Sequence, residues 1–261
     1  ALETIFFPKT GTVRLGKEKI PVRIGETTLG PSGIPVYLIE NDSLFDRSGI
    51  YADSDGDYPD NPTRAFVLSK SALLISQITG WSPDVYHAHD WMAASLPAYL
   101  NSTRPKAKRA KAGKSVLTIH NLEHQGHCSF QDFVRSGLPE SFWGIDGFES
   151  NGSMNLLKGG IQHADKITTV SPTYAQEIRT KQFGHGLEES LTYRGADLLG
   201  ILNGIDDASW NPQKDPALPC PINPDSPQSG KDACKESLLS EMRLPATPDA
   251  PLFGVVSRLY Q

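Results

Sequence analysis

Short runs rich in Val, Ile and Leu recur along this chain with helical patterns between them, and that alternation restricts the possible folds more than any other feature. Strands separated by helices pair in parallel, because each crossover returns the chain to the same end of the sheet, and helices then cover the sheet faces. The patterning predicts strands at Val36 to Ile39, Val85 to His87, Val116 to His120, Lys166 to Val170, Leu199 to Leu202 and Phe253 to Ser257. One helix opens at Asp60 or Asn61, carries Pro62 in its first turn, aligns Val67, Leu74 and Ile78 on one face and stops at Gly80. A second runs from about Gly152 to His163, a third starts at Ser171 and Pro172, and a fourth covers Lys235 to Met242. The expected class is α/β: a Rossmann-like parallel sheet wrapped by helices.

Polar residues gather where these strands end. His87, His89 and Asp90 close the second, His120 and Asn121 the third, Ser171 the fourth, Asn203, Gly204 and Asp206 the fifth, and Ser257 with Arg258 the last. Ligands of open α/β sheets bind outside the carboxyl ends of the strands, so these side chains are expected to converge on one crevice. Prolines crowd Asn211 to Asp232 and again Pro245 to Pro251, just before the last strand, which marks a domain boundary near residue 245. The chain stops at Gln261, before a helix returns over that strand. The expectation is therefore a fragment: a first domain over residues 1–244, and the opening of a second over residues 245–261.

Composition narrows the partners. Lys plus Arg is 25 against 30 Asp plus Glu, a net charge of −5 that argues against nucleic acid. The one basic run, Arg104 to Lys114, has no interleaved aromatics and reads as a solvated loop. No window approaches the ~18 apolar residues of a membrane span, and the N-terminal ALETIFFPKTG lacks the basic-then-apolar order of a secretory signal. Cys128, Cys220 and Cys234 are too few and too scattered for a disulfide framework or a zinc cluster, so a reducing, cytoplasmic setting is expected.

Several constellations admit more than one chemistry. His87 and His89 share a strand face, and with His120 on the next strand they fit a metal-dependent hydrolase; equally, Asp90 caps a helix at Trp91 beside an ordinary core histidine, or the group lines a sugar pocket. Asp53, Asp55 and Asp57 alternate, but Tyr58 and Thr63 stand where a calcium loop needs Gly and Glu, so they read as a solvated acidic loop. Gly159 and Gly160, after Lys158, sit inside a helix at roughly 1 kcal/mol each, which implies close approach by a ligand or a neighbouring helix. Arg258 is either a phosphate clamp or a surface residue.

The segments VYLIEND, LFDRSGIY, DYPDNPTRAF, PDVYHAHDW, SVLTIHNLEHQG, SMNLLKGGIQHADKITTVSPTYAQEI, GILNGID and FGVVSRL, in this order, resemble the bacterial glycogen synthases and plant starch synthases. These are retaining, ADP-glucose-using glucosyltransferases of the GT-B fold. The resemblance implies two nucleotide-binding-like domains facing a cleft, with the acceptor-side domain here and the start of the nucleotide-sugar domain at residues 245–261. It implies His120 as the catalytic histidine, Asp90, Asn121 and Asn203 in the sugar pocket, Tyr51 towards the acceptor and Arg258 on the donor diphosphate. It further implies ADP-glucose as donor, an α-1,4-glucan as acceptor, no metal or other cofactor, and a plastid location if the source is a plant or alga. By the same likeness the glycine-rich donor loop, a lysine just after Arg258 and a glutamate of the second domain lie outside the chain, so it is expected to be inactive alone. Met92 stands where relatives often carry histidine. The alternatives to weigh are the hydrolase on His87, His89 and His120, and a non-catalytic glucan-binding module.

Overall fold

The computed structural model describes residues 5–7, 10–103, 113–245 and 250–257, and divides into two compact units, residues 1–202 and 203–261. The first unit opens with β1 (Ile5–Phe6), β2 (Gly11–Leu15), β3 (Glu18–Leu29) and β4 (Ile34–Glu40), an antiparallel sheet in which β3 pairs with all three others. Its signal in the sequence is the alternation of Val13, Leu15, Ile20, Val22 and Ile24, all buried, with exposed Thr12, Arg14, Lys19 and Arg23. The parallel-sheet expectation passed over that alternation, and it assigned Val36 to Ile39 to the wrong sheet. These residues belong to β4, whose Ile39 lies opposite Ile24 of β3 in an antiparallel register.

A short helix α1 (Asp42–Phe45) and a hairpin of β5 (Ala52–Asp53) and β6 (Gly56–Asp57) lead to α2 (Asn61–Thr79). Within that hairpin Asp53, Asp55 and Asp57 are exposed, as an acidic loop should be. Gly80, with φ of 74°, ends α2 in the left-handed region as expected. Asp60 does not cap the helix with its side chain; its carboxylate pairs with Arg47 at 2.8 Å instead. Nor is α2 buried on one face alone. It lies against β2, α3 (Asp90–Ala93) and α4 (Leu96–Thr103), so Ala65, Phe66, Val67, Ser69 and Ser71 are all buried.

The parallel sheet has four strands in the order β13, β12, β8, β7: β7 (Val85–His89), β8 (Lys114–Ile119), β12 (Lys166–Thr169) and β13 (Leu198–Gly200). Between β8 and β12 come β9 (His127–Cys128), α5 (Phe130–Ser136), β10 (Glu149–Ser150), β11 (Ser153–Asn155) and α6 (Leu156–His163). After β12 come α7 (Pro172–Glu177), capped by Ser171 as expected, and α8 (Glu188–Tyr193). The start expected for α6 at Gly152 is too early, because residues 153–155 pair as β11 with β9 and β10 and the Asn155 side chain then caps the helix at Lys158 N, 2.9 Å away. At the other end of α6 the Arg194 guanidinium donates to the Ile161 and Ala164 carbonyls. One sheet face packs Ala88, Leu117, Ile119 and Ile167 against Leu157, Ile161 and Ala175. On the opposite face Val85, His87, His89 and Leu199 are exposed.

The second unit is largely turns, held by Asn211, Asp215 and Asn223 side chains that accept from the amides two residues on, followed by α9 (Pro227–Glu241). That helix begins earlier than expected, with Pro227 in its first turn rather than in a loop. The strand expected at Phe253 to Ser257 is not formed. Among the described residues the second unit has no other strand to pair with it, and Phe253 and Val255 are 87% and 90% exposed. The basic run lies outside the described residues from Arg104 to Ala112, and Lys114 opens β8. Among the described residues no helix is long and apolar enough to cross a membrane.

The two glycines inside α6 are explained by packing. A Cβ on Gly159 would stand 2.1 Å from the Phe148 ring, and one on Gly160 2.7 Å from the Ala94 carbonyl oxygen. Gly160→Ala meets backbone that cannot rotate away, so it should lower the unfolding free energy by about 1–3 kcal/mol in urea titration. Gly159→Ala should do the same by displacing Phe148.

His163 supplies a pH signature. Its ring lies tilted against Phe142 with centroids 4.1 Å apart, and burial, reinforced by the Arg194 charge, pushes its pKa from 6.5 down to about 4. The unfolded chain takes up the proton first, so the contribution is complete above pH 6.5 and is lost as pH falls towards 4. The unfolding free energy from urea titration should drop across that window, by on the order of 3 kcal/mol from this group, and His163→Phe should flatten the dependence.

Candidate active site

The site begins where β7 and β8 end side by side. They run parallel with His89 opposite Thr118, and Asp90 is the first residue beyond β7 and His120 the first beyond β8. The chain turns at Asp90 with φ of 53°, a left-handed conformation rare outside glycine, and the His120 amide donates to Asp90 Oδ1 at 2.8 Å. The carboxylate thus bridges two strand ends. The capping reading of Asp90 is corrected: it is the first residue of α3, and its side chain turns towards β8 instead.

Behind Asp90 the imidazoles form a row. His89 Nδ1 and His120 Nε2 are 3.0 Å apart and share a hydrogen bond; the His87 and His89 ring centroids are 4.3 Å apart. His87 Nε2 shares a 2.6 Å bond with Thr118 Oγ1, which in turn shares one of 2.6 Å with Thr168 Oγ1. Partial desolvation of rings that are otherwise exposed, with the neighbouring imidazoles adding to it, lowers the pKa of His87 and His89, so both favour the neutral form. In neutral rings each shared bond uses one N–H and one lone pair, which couples the tautomers of His89 and His120. That arrangement opposes the hydrolase reading. Its ligand lone pairs are turned on one another and on Thr118, and among the described residues no group of three His, Cys, Asp or Glu is arranged to hold a metal.

A cavity of about 670 Å³ opens beside this crest, lined by Tyr51, Asp57, Asp90, Trp91, Asn121 and Gln125 among others. Tyr51 and Trp91 face each other at 5.5 Å between ring centroids. Asn121 Oδ1 accepts from the Glu123 amide at 3.0 Å, leaving its amide nitrogen for a ligand. Aromatic faces bordered by carboxylates and amides suit a polyhydroxylated ligand, whose C–H faces stack while its hydroxyls bond.

The DYPDNPTRAF segment builds the wall. Arg64, buried at 4% exposure, donates to the Leu44 carbonyl at 2.8 Å and to Asn61 Oδ1 at 2.6 Å. Asn61 Nδ2 then donates to the Tyr51 carbonyl at 2.9 Å, and Arg47 clamps Asp60. One guanidinium at the start of α2 thereby fixes the loop that presents Tyr51.

Of the residues expected in the site, the structure brings Tyr51, Asp90 and Asn121 to one cavity and ties His120 to it through Asp90. Asn203 opens the second unit, and Arg258 lies outside the described residues. Trp91, Asp57 and Gln125 were missed. Trp91 had a signal, since it directly follows Asp90 at a strand end; Gln125 had none, because it is ordered by Asn155, at 2.6 Å, and by the His185 carbonyl, at 3.0 Å.

Fold and site together define an α/β protein whose parallel strand ends open onto a cleft of aromatic, carboxylate and amide groups. Residues 2–193 match the starch synthase catalytic domain, and the chain belongs to that family. It is 42% identical over 259 residues to the glycogen synthase of Rhodospirillum rubrum, covering 95% of this chain and 51% of the relative. It is 39% identical over 236 residues to glycogen synthase 1 of Geobacter sulfurreducens, covering 90% and 47%. The catalytic domain of starch synthase IV from Arabidopsis thaliana, solved bound to ADP and acarbose, superposes with a TM-score of 0.76 at 30% identity, over 95% of this chain and 50% of that one. The chain spans about half the length of these proteins.

Arg64→Lys tests the wall. A lysine cannot hold the Leu44 carbonyl and Asn61 together, so about 1.5–3 kcal/mol of stability should be lost in urea titration. The ring contact of Tyr51 with Trp91 should loosen in parallel, because Tyr51 loses its anchor.

Proposed function

We propose that this chain is the acceptor-side part of a glucosyltransferase that moves glucose from ADP-glucose to the non-reducing end of an α-1,4-glucan with retention of configuration. The observation that carries the reading is the pairing of Asp90 with His120 at the rim of a cavity that already presents Tyr51, Trp91 and Asn121, in a chain of the starch synthase family. The ADP and acarbose bound to the Arabidopsis relative support the same reading.

His120 borders the donor glucose; Asp90, Asn121 and Asn203 bond its hydroxyls; Tyr51 faces the acceptor; Arg258 meets the donor diphosphate. The bond from glucose C1 to the phosphate oxygen breaks, the acceptor hydroxyl oxygen bonds to C1, and the hydroxyl proton leaves with ADP. Positive charge grows on the sugar while negative charge grows on the phosphates. The His120 ring, its backbone amide held by Asp90 and its Nε2 by His89, contributes a fixed dipole beside the first, and Arg258 meets the second. No resident metal or cofactor enters the reading, since ADP-glucose is a substrate. The domains divide at residues 1–244 and 245–261, and the setting is the cytoplasm, or a plastid in a plant or alga.

In the complete protein, His120→Ala should reduce transfer of labelled glucose from ADP-glucose to glycogen by at least about 100-fold with unfolding unchanged. Tyr51→Ala should raise the KM for glucan and leave that for ADP-glucose near normal. Undiminished transfer in His120→Ala would overturn the assignment, and retention on glucan without transfer by the unsubstituted protein would make this a binding module.

A further inference from the structure

The second unit holds a pair of thiols that the functional reading does not use. Its proline-rich stretch folds back on itself through a bond from the Ile222 amide to the Pro212 carbonyl, 2.9 Å. The stretch then lies directly on α9: Gly230 is buried, and a Cβ there would stand 3.1 Å from the Pro221 carbonyl oxygen and from Ile222. That contact sets Cys220, just before Pro221, against Cys234, about one helical turn beyond Gly230. Cys220 Sγ donates to the Gly230 carbonyl at 3.5 Å, and Cys234 Sγ to the Cys220 carbonyl at 4.0 Å. The two thiols also interact side chain to side chain.

Both thiols are free and partly exposed, so a small oxidant can reach them. Cys128 differs. It lies on β9 in the other unit, where burial, with Asp132 adding to it, pushes its pKa up to about 12 and leaves it without thiolate near neutrality. Partial burial and the neighbouring thiol also raise Cys220, so proximity rather than an activated thiolate favours the reaction.

We infer that Cys220 and Cys234 are a reversible disulfide site, closed by a low-molecular-weight disulfide such as oxidised glutathione. One protein thiolate attacks the glutathione disulfide and releases the first glutathione thiolate, which takes up the proton that the protein thiol lost. The second protein thiolate attacks the resulting mixed disulfide at the protein sulfur and releases the second glutathione. The protein pair loses two electrons and two protons, and the glutathione disulfide gains them. The product staples the loop before Pro221 to α9, in the unit that carries Asn203. Three cysteines far apart in sequence gave no reason to expect a bond, and in a reducing compartment one of this kind is a transient response rather than a structural support.

The test uses the native chain with oxidised glutathione, acid quenching, alkylation of remaining thiols and mass spectrometry after non-reducing trypsin digestion. The expected product joins peptide 215–231 to peptide 232–235, leaves Cys128 alkylatable, carries no glutathione and reverts with dithiothreitol. In Cys220→Ser the mixed disulfide on Cys234 cannot be resolved, so glutathione retained there should rise at least about tenfold over the unsubstituted chain. The inference is overturned if native Cys220 and Cys234 both stay alkylatable, if the unsubstituted chain keeps glutathione to the same extent as Cys220→Ser, or if the oxidised product links separate chains. None of these readouts depends on glucosyl transfer.

Discussion

The bond from the His120 amide to the Asp90 carboxylate holds the candidate site together. A parallel sheet ends in a row of backbone groups that have run out of ladder partners, and here one of them is satisfied by a side chain from the neighbouring strand end. To reach it the chain adopts a positive φ at Asp90, a conformation that costs on the order of 1 kcal/mol for a residue with a Cβ. The same turn throws Trp91 into the cavity and starts α3. Strain, a charged hydrogen bond and an aromatic wall thus share one residue.

Around that point the two sheets divide the labour. The parallel sheet supplies the polar crest; the antiparallel sheet, by packing Val13, Leu15 and Ile24 against Phe66 and Val67, holds α2 so that its first turn faces the crest. Arg64 converts that packing into placement of Tyr51, because it holds Leu44 of α1 and also Asn61, whose own amide group bonds the Tyr51 carbonyl. Buried glycines let α6 approach Phe148 and Ala94 closely enough to close the base of the unit. Stability and site geometry therefore rest on the same contacts, and a change in the floor of the fold reaches the cavity.

Much of this was legible in the letters where local chemistry decides the outcome. The helix opening near Asn61 and closing at Gly80, the Ser171 cap and the polar ends of β7 and β8 are all local events. Elements that depend on a distant partner were not legible. The strand expected at Phe253 has no described partner to pair with, and Val36 joined the antiparallel sheet because β3 was there to receive it. Within the site, Asp90 and Asn121 could be found because they follow strands. Gln125 could not, since its place is set by Asn155 and the His185 carbonyl. The histidines show the limit of spacing as evidence: two residues on one strand face and a third on the next strand suit a metal or a hydrogen-bonded row, and the bonds of His89 with His120 and of His87 with Thr118 separate the two.

Amide hydrogen exchange at His120, resolved by NMR in the unsubstituted chain and in Asp90→Ala, tests the bridge at its own atoms. A charge-assisted bond of about 1.5–3 kcal/mol predicts that protection of this amide falls at least about tenfold when the carboxylate is removed, while Leu117 and Ile119 within β8 stay protected. Equal exchange of the His120 amide in both proteins would contradict the account.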